Sequence, residues 1–260
     1  MSYSFSQSQP PPLSQSVLRR CFLRSYFLLA GMNTKGLQNL GFSSSIDPAL
    51  QALYPNADDL HKARLRYAMH FNCHPFLTPY VLGVFIHCEQ ALIMGTLPES
   101  TYNAVRDTYA YTLSVIGDNL LSGGLFITFS LIVCILSLGK LLSPALVLLG
   151  IAFFVFHALK LWLFVVGLRH GLSSMQWLER WQPIALAERC KYVNAFLVSV
   201  LFYQIGVEYY ALSTAFMSCS VLGLLAVSLF ILQKVSLSRI ASGIVFFALV
   251  VVVSYIVFST

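Results

Sequence analysis

Formal charge is what this sequence has least of. Only 10% of its 260 residues are Asp, Glu, Lys or Arg, against about 25% in a soluble domain. Hydrophobic residues make up 57%, and the mean hydropathy is +0.74. That deficit excludes an ordinary water-soluble domain and implies an integral membrane protein. Paired cysteines are lacking too. Cys21, Cys73, Cys88, Cys134, Cys190 and Cys219 contain no C-x-x-C spacing, so no disulfide framework is implied. Several lie in apolar runs, where a thiol packs as a small hydrophobe. There is no P-loop, no dinucleotide-binding glycine fingerprint and no Ser-His-Asp order, so the residues alone give no sign of catalysis. The net charge is +6, but the cations form no stripe with interleaved aromatics on a soluble module, which excludes nucleic acid as a partner.

The charge that exists is unevenly placed. From Tyr111 to Leu168 the only formal charges are Asp118, Lys140 and Lys160, and from Tyr192 to Thr260 they are Glu208, Lys234 and Arg239. Half of the basic residues and most of the acidic ones fall in the first 110 positions. The expected architecture is therefore all-α, with amphipathic and re-entrant helices followed by about five transmembrane helices. Residues 1–16, rich in Ser, Gln and Pro, read as a disordered tail. Residues 17–110 read as the amphipathic and re-entrant region, and 111–260 as the membrane-spanning region.

Leu18-Arg19-Arg20-Cys21-Phe22-Leu23-Arg24 looks like the start of a twin-arginine export signal. The apolar stretch behind it, Tyr26 to Met32, is short, and no small-x-small cleavage site comes after it. An amphipathic helix lying in the bilayer surface, arginines toward headgroups, accounts for it better. Gly41 and Pro48 punctuate the next stretch, residues 59–72 form a charged helix, and Pro75 and Pro79 break the chain beyond it. Thr78 to Met94 is a shorter apolar segment. The longer ones lie near 113–137, 144–168, 192–208, 211–232 and 240–258, each reaching or approaching the ~20 residues that cross ~30 Å of hydrocarbon. A turn near Gly206–Glu208 would make a hairpin of the run from Tyr192 to Leu232. Arg169, Arg180, Arg189 and Lys191 share one loop, and Lys234 and Arg239 flank another. Lys140 and Glu208 fall on the opposite side. The positive-inside rule then makes the N-terminus cytoplasmic.

Asp118 draws most attention, because a carboxylate beside so much hydrocarbon costs several kcal/mol unless it meets water, a partner or a cargo. It admits two readings. In one, Asp118 caps the long apolar helix after it. In the other, Asp118 and Asn119 occupy a polar pocket, with Gly123 and Gly124 one turn on permitting close approach of a backbone or ligand. Carboxylate plus amide suits a polyhydroxylated ligand, since the acid accepts from hydroxyls and the amide both donates and accepts. Asn72 and His74 sit at a helix break before Pro75, where they can cap freed backbone groups. With His70 and Cys73 they also invite a metal-site reading that adds His87, Cys88 and Glu89, but the spacing matches no strong ligand pattern, so no metal or cofactor is expected. Glu89 either pairs with Arg66 or Arg106 or faces the Asp118 pocket. Lys160 is expected to snorkel, and His157 to hydrogen-bond between helices.

Taken together, several segments resemble one family in order and spacing. They are Asn33-x4-Gln38-Asn39-Leu40-Gly41-Phe42, Pro48-Ala49-Leu50-x3-Tyr54-Pro55 and Phe71-Asn72-Cys73-His74-Pro75. Leu82-Gly83-Val84 with Glu89, Ile116-Gly117-Asp118-Asn119 and Gly167-x3-Gly171 complete the set. The family is the IID component of the mannose/fructose/sorbose class of the bacterial sugar phosphotransferase system. The resemblance implies a non-catalytic translocation subunit of the bacterial cytoplasmic (inner) membrane. It implies assembly with a IIC membrane subunit, as a trimer of IIC–IID heterodimers. Soluble IIA and IIB proteins would relay phosphate to a mannose-like hexose. It marks Asn72, His74, Glu89, Asp118 and Asn119 as substrate-binding candidates and Gly41, Pro75 and Gly117 as structural ones. The family pattern reads Gly-Pro-Leu-Ala-Gly where this chain has Tyr111-Thr112-Leu113-Ser114-Val115. An Arg-His pair upstream of Asn72 is here Arg66-Tyr67. These departures leave open a second reading, a scaffold that keeps the fold and binds partners without moving sugar. A third, a metal-binding membrane enzyme, rests on His70, Cys73 and His74.

Overall fold

A computed structural model describes residues 12–209 and the single positions 217, 220, 222, 223 and 226. The expected spans 211–232 and 240–258, the loop of Lys234 and Arg239, and residues 1–11 of the tail lie outside the described residues. Among the described residues the chain is helical, with no β-strand beyond isolated bridges near Asn33, Leu37 and Phe71.

Helix α1 is Gln15–Arg24, capped by the Ser14 hydroxyl, which accepts from the Val17 N–H. Structure thus begins two residues inside the expected tail. Val17 and Cys21 face inward while Arg19, Arg20 and Arg24 stay exposed, the two-sided pattern expected of an amphipathic helix. A 3₁₀ stretch, Ser25–Gly31, comes next. Helix α2 is Asn39–Leu53 and, against the sequence expectation, runs straight through Gly41 and Pro48. The reason is local. Proline lacks the N–H that would bond the carbonyl four residues back, and that carbonyl, on Ser44, accepts instead from the Arg24 guanidinium at 3.1 Å. Gly41 allows the close approach to the 3₁₀ stretch, since a Cβ there would meet the Leu28 carbonyl oxygen at 2.0 Å.

Helix α3, Ala57–Ala68, starts at Asn56, whose side chain accepts from the Asp58 and Asp59 N–H groups. The two aspartates themselves favour the positive end of the helix dipole. Helix α4, Thr78–Ile93, matches the short apolar segment read from the sequence. Its 16 residues span about 24 Å at 1.5 Å per residue. Tyr80, Val81, Leu82, Val84, Phe85, Ile86 and Glu89 are all fully buried, so α4 is the core of its unit.

The three long apolar stretches are longer than the sequence pattern suggested. Helix α5, Glu99–Gly117, passes through a π-helical segment, Asp118–Leu125, into α6, Phe126–Leu138. Helix α7, Leu142–His170, continues by a 3₁₀ turn, Gly171–Ser173, into α8, Ser174–Arg180. Helix α9 is Pro183–Tyr209. Glu99–Leu138, Leu142–Arg180 and Pro183–Glu208 are each long and apolar enough to cross a membrane. Gly206–Glu208, where a turn was expected, lie within α9, which runs to Tyr209; the chain just beyond lies outside the described residues.

The chain divides into two compact units. The first comprises residues 1–122 and 150–186. Within it α4 and α7 cross at glycines. A Cβ on Gly83 would lie 2.3 Å from the Phe164 carbonyl oxygen, and one on Gly167 would lie 2.5 Å from that of Tyr80. Gly171, at φ +52°, turns the chain beside His87, whose Nδ1 lies 2.9 Å from the Leu168 carbonyl oxygen. Small residues facing each other let backbones approach where lipid offers no hydrophobic drive. The second unit comprises residues 123–149 and 187–260. In it α6 and α9 are joined by polar bridges. Thr128 Oγ1 donates to Asn194 Oδ1 (2.6 Å), and Gln204 Nε2 donates to the Ile135 carbonyl (3.2 Å). Lys140 and Glu208, expected on one side of the bilayer, form an ion pair at 3.0 Å.

Two glycine-to-alanine substitutions should act with opposite sign. Gly83→Ala forces a methyl into the backbone of α7 and is expected to cost about 1–3 kcal/mol. Gly150→Ala, where a Cβ would meet nothing within 4 Å, should stabilise α7 by roughly 0.5–1 kcal/mol. Thermal unfolding of the two variants in detergent checks the pair.

Candidate functional site

Two acids flagged by the sequence lie in opposite surroundings. Glu89 on α4 is fully buried. Its Oε1 accepts from Tyr67 Oη (2.6 Å) and Arg66 Nε (3.2 Å), and its Oε2 from Tyr54 Oη (2.6 Å) and Arg66 Nη2 (2.7 Å). Arg66 also reaches Glu99 on α5 at 3.0 Å, and Tyr67 Oη lies 2.6 Å from Tyr102 Oη. One carboxylate therefore joins the end of α2 to α3, α4 and α5. Burial, with the Glu89 charge second, holds the Tyr54 and Tyr67 phenols above their ordinary range, so both remain donors. Four donors fill the roughly four lone-pair positions of a carboxylate, leaving none for a ligand hydroxyl. Glu89 is thus held by the chain's own donors, the first of the two readings the sequence left open for it. Of the two arginines considered for it, Arg66 is the partner. Arg106, also buried, donates to the Arg66 carbonyl oxygen, to Asp107 Oδ1 (2.8 Å) and to Met69 Sδ (3.7 Å).

Asp118 is exposed on the surface of the chain, at the first position of the π-helical segment. Among the described residues its carboxylate accepts no hydrogen bond. Its nearest electrostatic partner is His74, and here the two motif segments meet. The loop between α3 and α4 lies against α5 so closely that a Cβ on Gly117 would fall 2.2 Å from that of His74. Asn72 Nδ2 donates to Ser114 Oγ at 3.4 Å. His74 Nδ1 accepts from the Phe76 N–H (3.2 Å), which leaves the proton of the neutral ring on Nε2, directed at Ser122 Oγ (2.9 Å). The His74 carbonyl accepts from the Leu77 and Thr78 N–H groups just ahead of α4, whose N-cap, Leu77, has no side-chain cap. Burial pushes the His74 imidazole below its ordinary value, with Asp118 opposing and Lys160 reinforcing the shift. Asn119 is half-buried and donates to the Val115 carbonyl of its own helix (2.9 Å).

The π geometry at Asp118–Leu125 was not legible from the sequence. π segments widen a helix by one residue per turn and recur at functional sites; Gly123-Gly124 was the available signal. Two other expectations need correcting. His157 does not bond between helices: its Nδ1 lies 2.7 Å from the Phe153 carbonyl oxygen of its own helix, and its ring stacks on Tyr26 at 5.7 Å. Lys160 sits over the rings of Tyr26 (4.6 Å) and Phe76 (5.4 Å), a cation–π arrangement. The set drawn for a metal does not converge: no group of three His, Cys, Asp or Glu able to hold an ion occurs among the described residues. Cys73 is buried, and burial pushes its thiol up to about 12.

In comparison with known proteins, the family model of the PTS system mannose/fructose/sorbose family IID component matches residues 12–259. The chain is 29% identical over 165 residues to the mannose-specific EIID component of Escherichia coli (strain K12), covering 62% of this chain and 56% of that protein. It is 24% identical over 160 residues to the fructose permease IID component of Bacillus subtilis (strain 168), covering 61% and 57%. The matched stretch thus spans little more than half the length of these relatives. Among solved structures, a membrane protein superposes with TM-score 0.68 at 20% identity, over 93% of this chain and 96% of that one. The mannose transporter ManYZ in complex with microcin E492 gives 0.52 at 22%, over 92% and 96%. The fold is shared with both.

Removing Arg66 should expose the importance of the Glu89 anchor. Arg66→Ala leaves a buried carboxylate without its cation and is expected to cost about 3–5 kcal/mol, read as a loss of thermal stability. His74 generates a pH effect. Its depressed affinity means that the unfolded chain takes up a proton before the folded one as pH falls. The stability it contributes is complete above the ordinary value of 6.5 and is lost as pH falls below that. His74→Gln should flatten this part of the stability–pH curve, measured between pH 8 and pH 5.

Proposed function

The chain belongs to the mannose/fructose/sorbose family of phosphotransferase-system IID components, and we propose that it is the IID subunit of a sugar permease in the bacterial cytoplasmic membrane. In this reading it crosses the membrane several times with its N-terminus cytoplasmic. Residues 17–110 form the surface and re-entrant part, and residues 111–260 form the spanning part. It pairs with a IIC membrane subunit, three such heterodimers making the permease. Soluble IIA and IIB proteins carry phosphate to a mannose-like hexose as it emerges.

One observation carries the proposal. Asp118 is exposed on its own chain, yet it lies within a 40-residue stretch able to span the membrane. An ionised group at that position is stable only where water, a partner or a cargo compensates it. Among the described residues no donor meets it, and in this reading the complement is a IIC subunit whose contact encloses a polar cleft, with a sugar whose hydroxyls donate to the carboxylate. Asn119 supplies an amide beside it. Asn72 and His74 form the wall that positions the π segment, through Ser114, Gly117 and Ser122.

Asp118→Asn removes the charge and keeps the shape. The loss of a charge-assisted hydrogen bond is about 1.5–3 kcal/mol, so uptake of labelled mannose by cells expressing the chain with its IIC partner should fall roughly ten- to a hundredfold. Copurification with IIC should be unchanged. Undiminished uptake in that variant would remove the carboxylate from the mechanism. A wild-type chain that copurifies with IIC but supports no uptake would establish the scaffold reading instead.

A further inference from the structure

A groove of about 400 Å³ opens beside Asn72, lined by Met69, His70, Asp107, Tyr111 and Thr112 among others. Its volume falls within the range of small-molecule sites. One wall is the loop leaving α3, and the other is the middle of α5, where Asp107, Thr108, Tyr111 and Thr112 face the groove.

Tyr111 gives the groove its character. It is a large aromatic side chain, 64% exposed, on a helix whose other tyrosines, Tyr102 and Tyr109, are buried. A tyrosine left open beside polar groups has an apolar face without a packing partner and a hydroxyl able to bond. Around it stand groups that fit hydroxyls. Asn72 keeps its amide at the rim, steadied by Ser114. Asp107 is exposed, and its Oδ1 accepts from Arg106 Nε at 2.8 Å. Arg106 is itself buried and held by the Arg66 carbonyl, so the Glu89 anchor fixes the groove's wall. An aromatic face flanked by an amide and a carboxylate matches a pyranose, which has an apolar C–H face and an equatorial rim of hydroxyls.

We propose that this groove is a hexose-contact site, with Tyr111 the stacking platform and Asn72 and Asp107 the hydroxyl partners. The inference rests on the permease reading and extends it, because Tyr111 and Asp107 lie outside the Asp118 set.

The test is binding of radiolabelled mannose, glucose and fructose to the purified IIC–IID complex by equilibrium dialysis, with Tyr111→Ala and Tyr111→Phe alongside wild type. Tyr111→Ala should weaken binding of the preferred sugar roughly tenfold and flatten the preference among the three, while Tyr111→Phe should stay within about twofold. Wild-type affinity and preference in Tyr111→Ala would overturn the groove assignment while leaving the permease reading standing. Loss of IIC from the Tyr111→Ala preparation would also overturn it, by making the residue a subunit contact. A wild-type complex that binds none of the sugars would bring down the permease reading, and the groove assignment with it.

Discussion

Glu89 sits fully buried in the apolar helix α4 of the first unit, where an unpaired carboxylate would be untenable. Its hydrogen bonds from Tyr54, Tyr67 and Arg66 are what make that position habitable. Because those donors come from different helices, satisfying one acid sets the relative placement of α2, α3, α4 and α5. The cluster then extends outward. Arg66 lends its carbonyl to Arg106, and Arg106 holds Asp107 and Met69. The loop that carries Asn72 and His74 is therefore hung from a rigid frame rather than left to find its own conformation. Buried, fully connected polar networks have this effect: they specify one arrangement because a partly satisfied alternative is costly.

The contrast with Asp118 is one of surroundings. Both are carboxylates in segments that are apolar by composition. One has spent its acceptor capacity on the chain, and the other presents it outward from a widened helical segment. The close packing of Gly117 on His74 keeps that carboxylate at a defined height beside the loop.

Much of the frame was legible. The limits of α4, the amphipathic start and the polar–apolar division of the chain derive from hydrophobicity and from where charge is absent. The pairing of Glu89 with Arg66 was one of two options that a buried acid leaves open. The separate glycine motifs were visible as motifs but not as contacts: Gly83 meets Gly167, and Gly117 meets His74, only once helices far apart in sequence are packed. Pro48 misled because a proline is read as a break, and the Arg24 side chain that rescues the freed Ser44 carbonyl lies twenty residues upstream. His157 misled because its partner was its own helix.

Composition alone determined that this chain belongs in a bilayer, for a sequence with so few charges has no way to cover a soluble surface. The spacing of its apolar runs determined that it does so as helices, the form in which a single segment satisfies its own backbone. Tertiary structure alone decided which acid is anchored and which is offered, and which tyrosine is core and which lines a groove. Those outcomes depend on donors and surfaces brought together from distant segments, and no local pattern of residues encodes how many of a side chain's bonding positions its neighbours will fill.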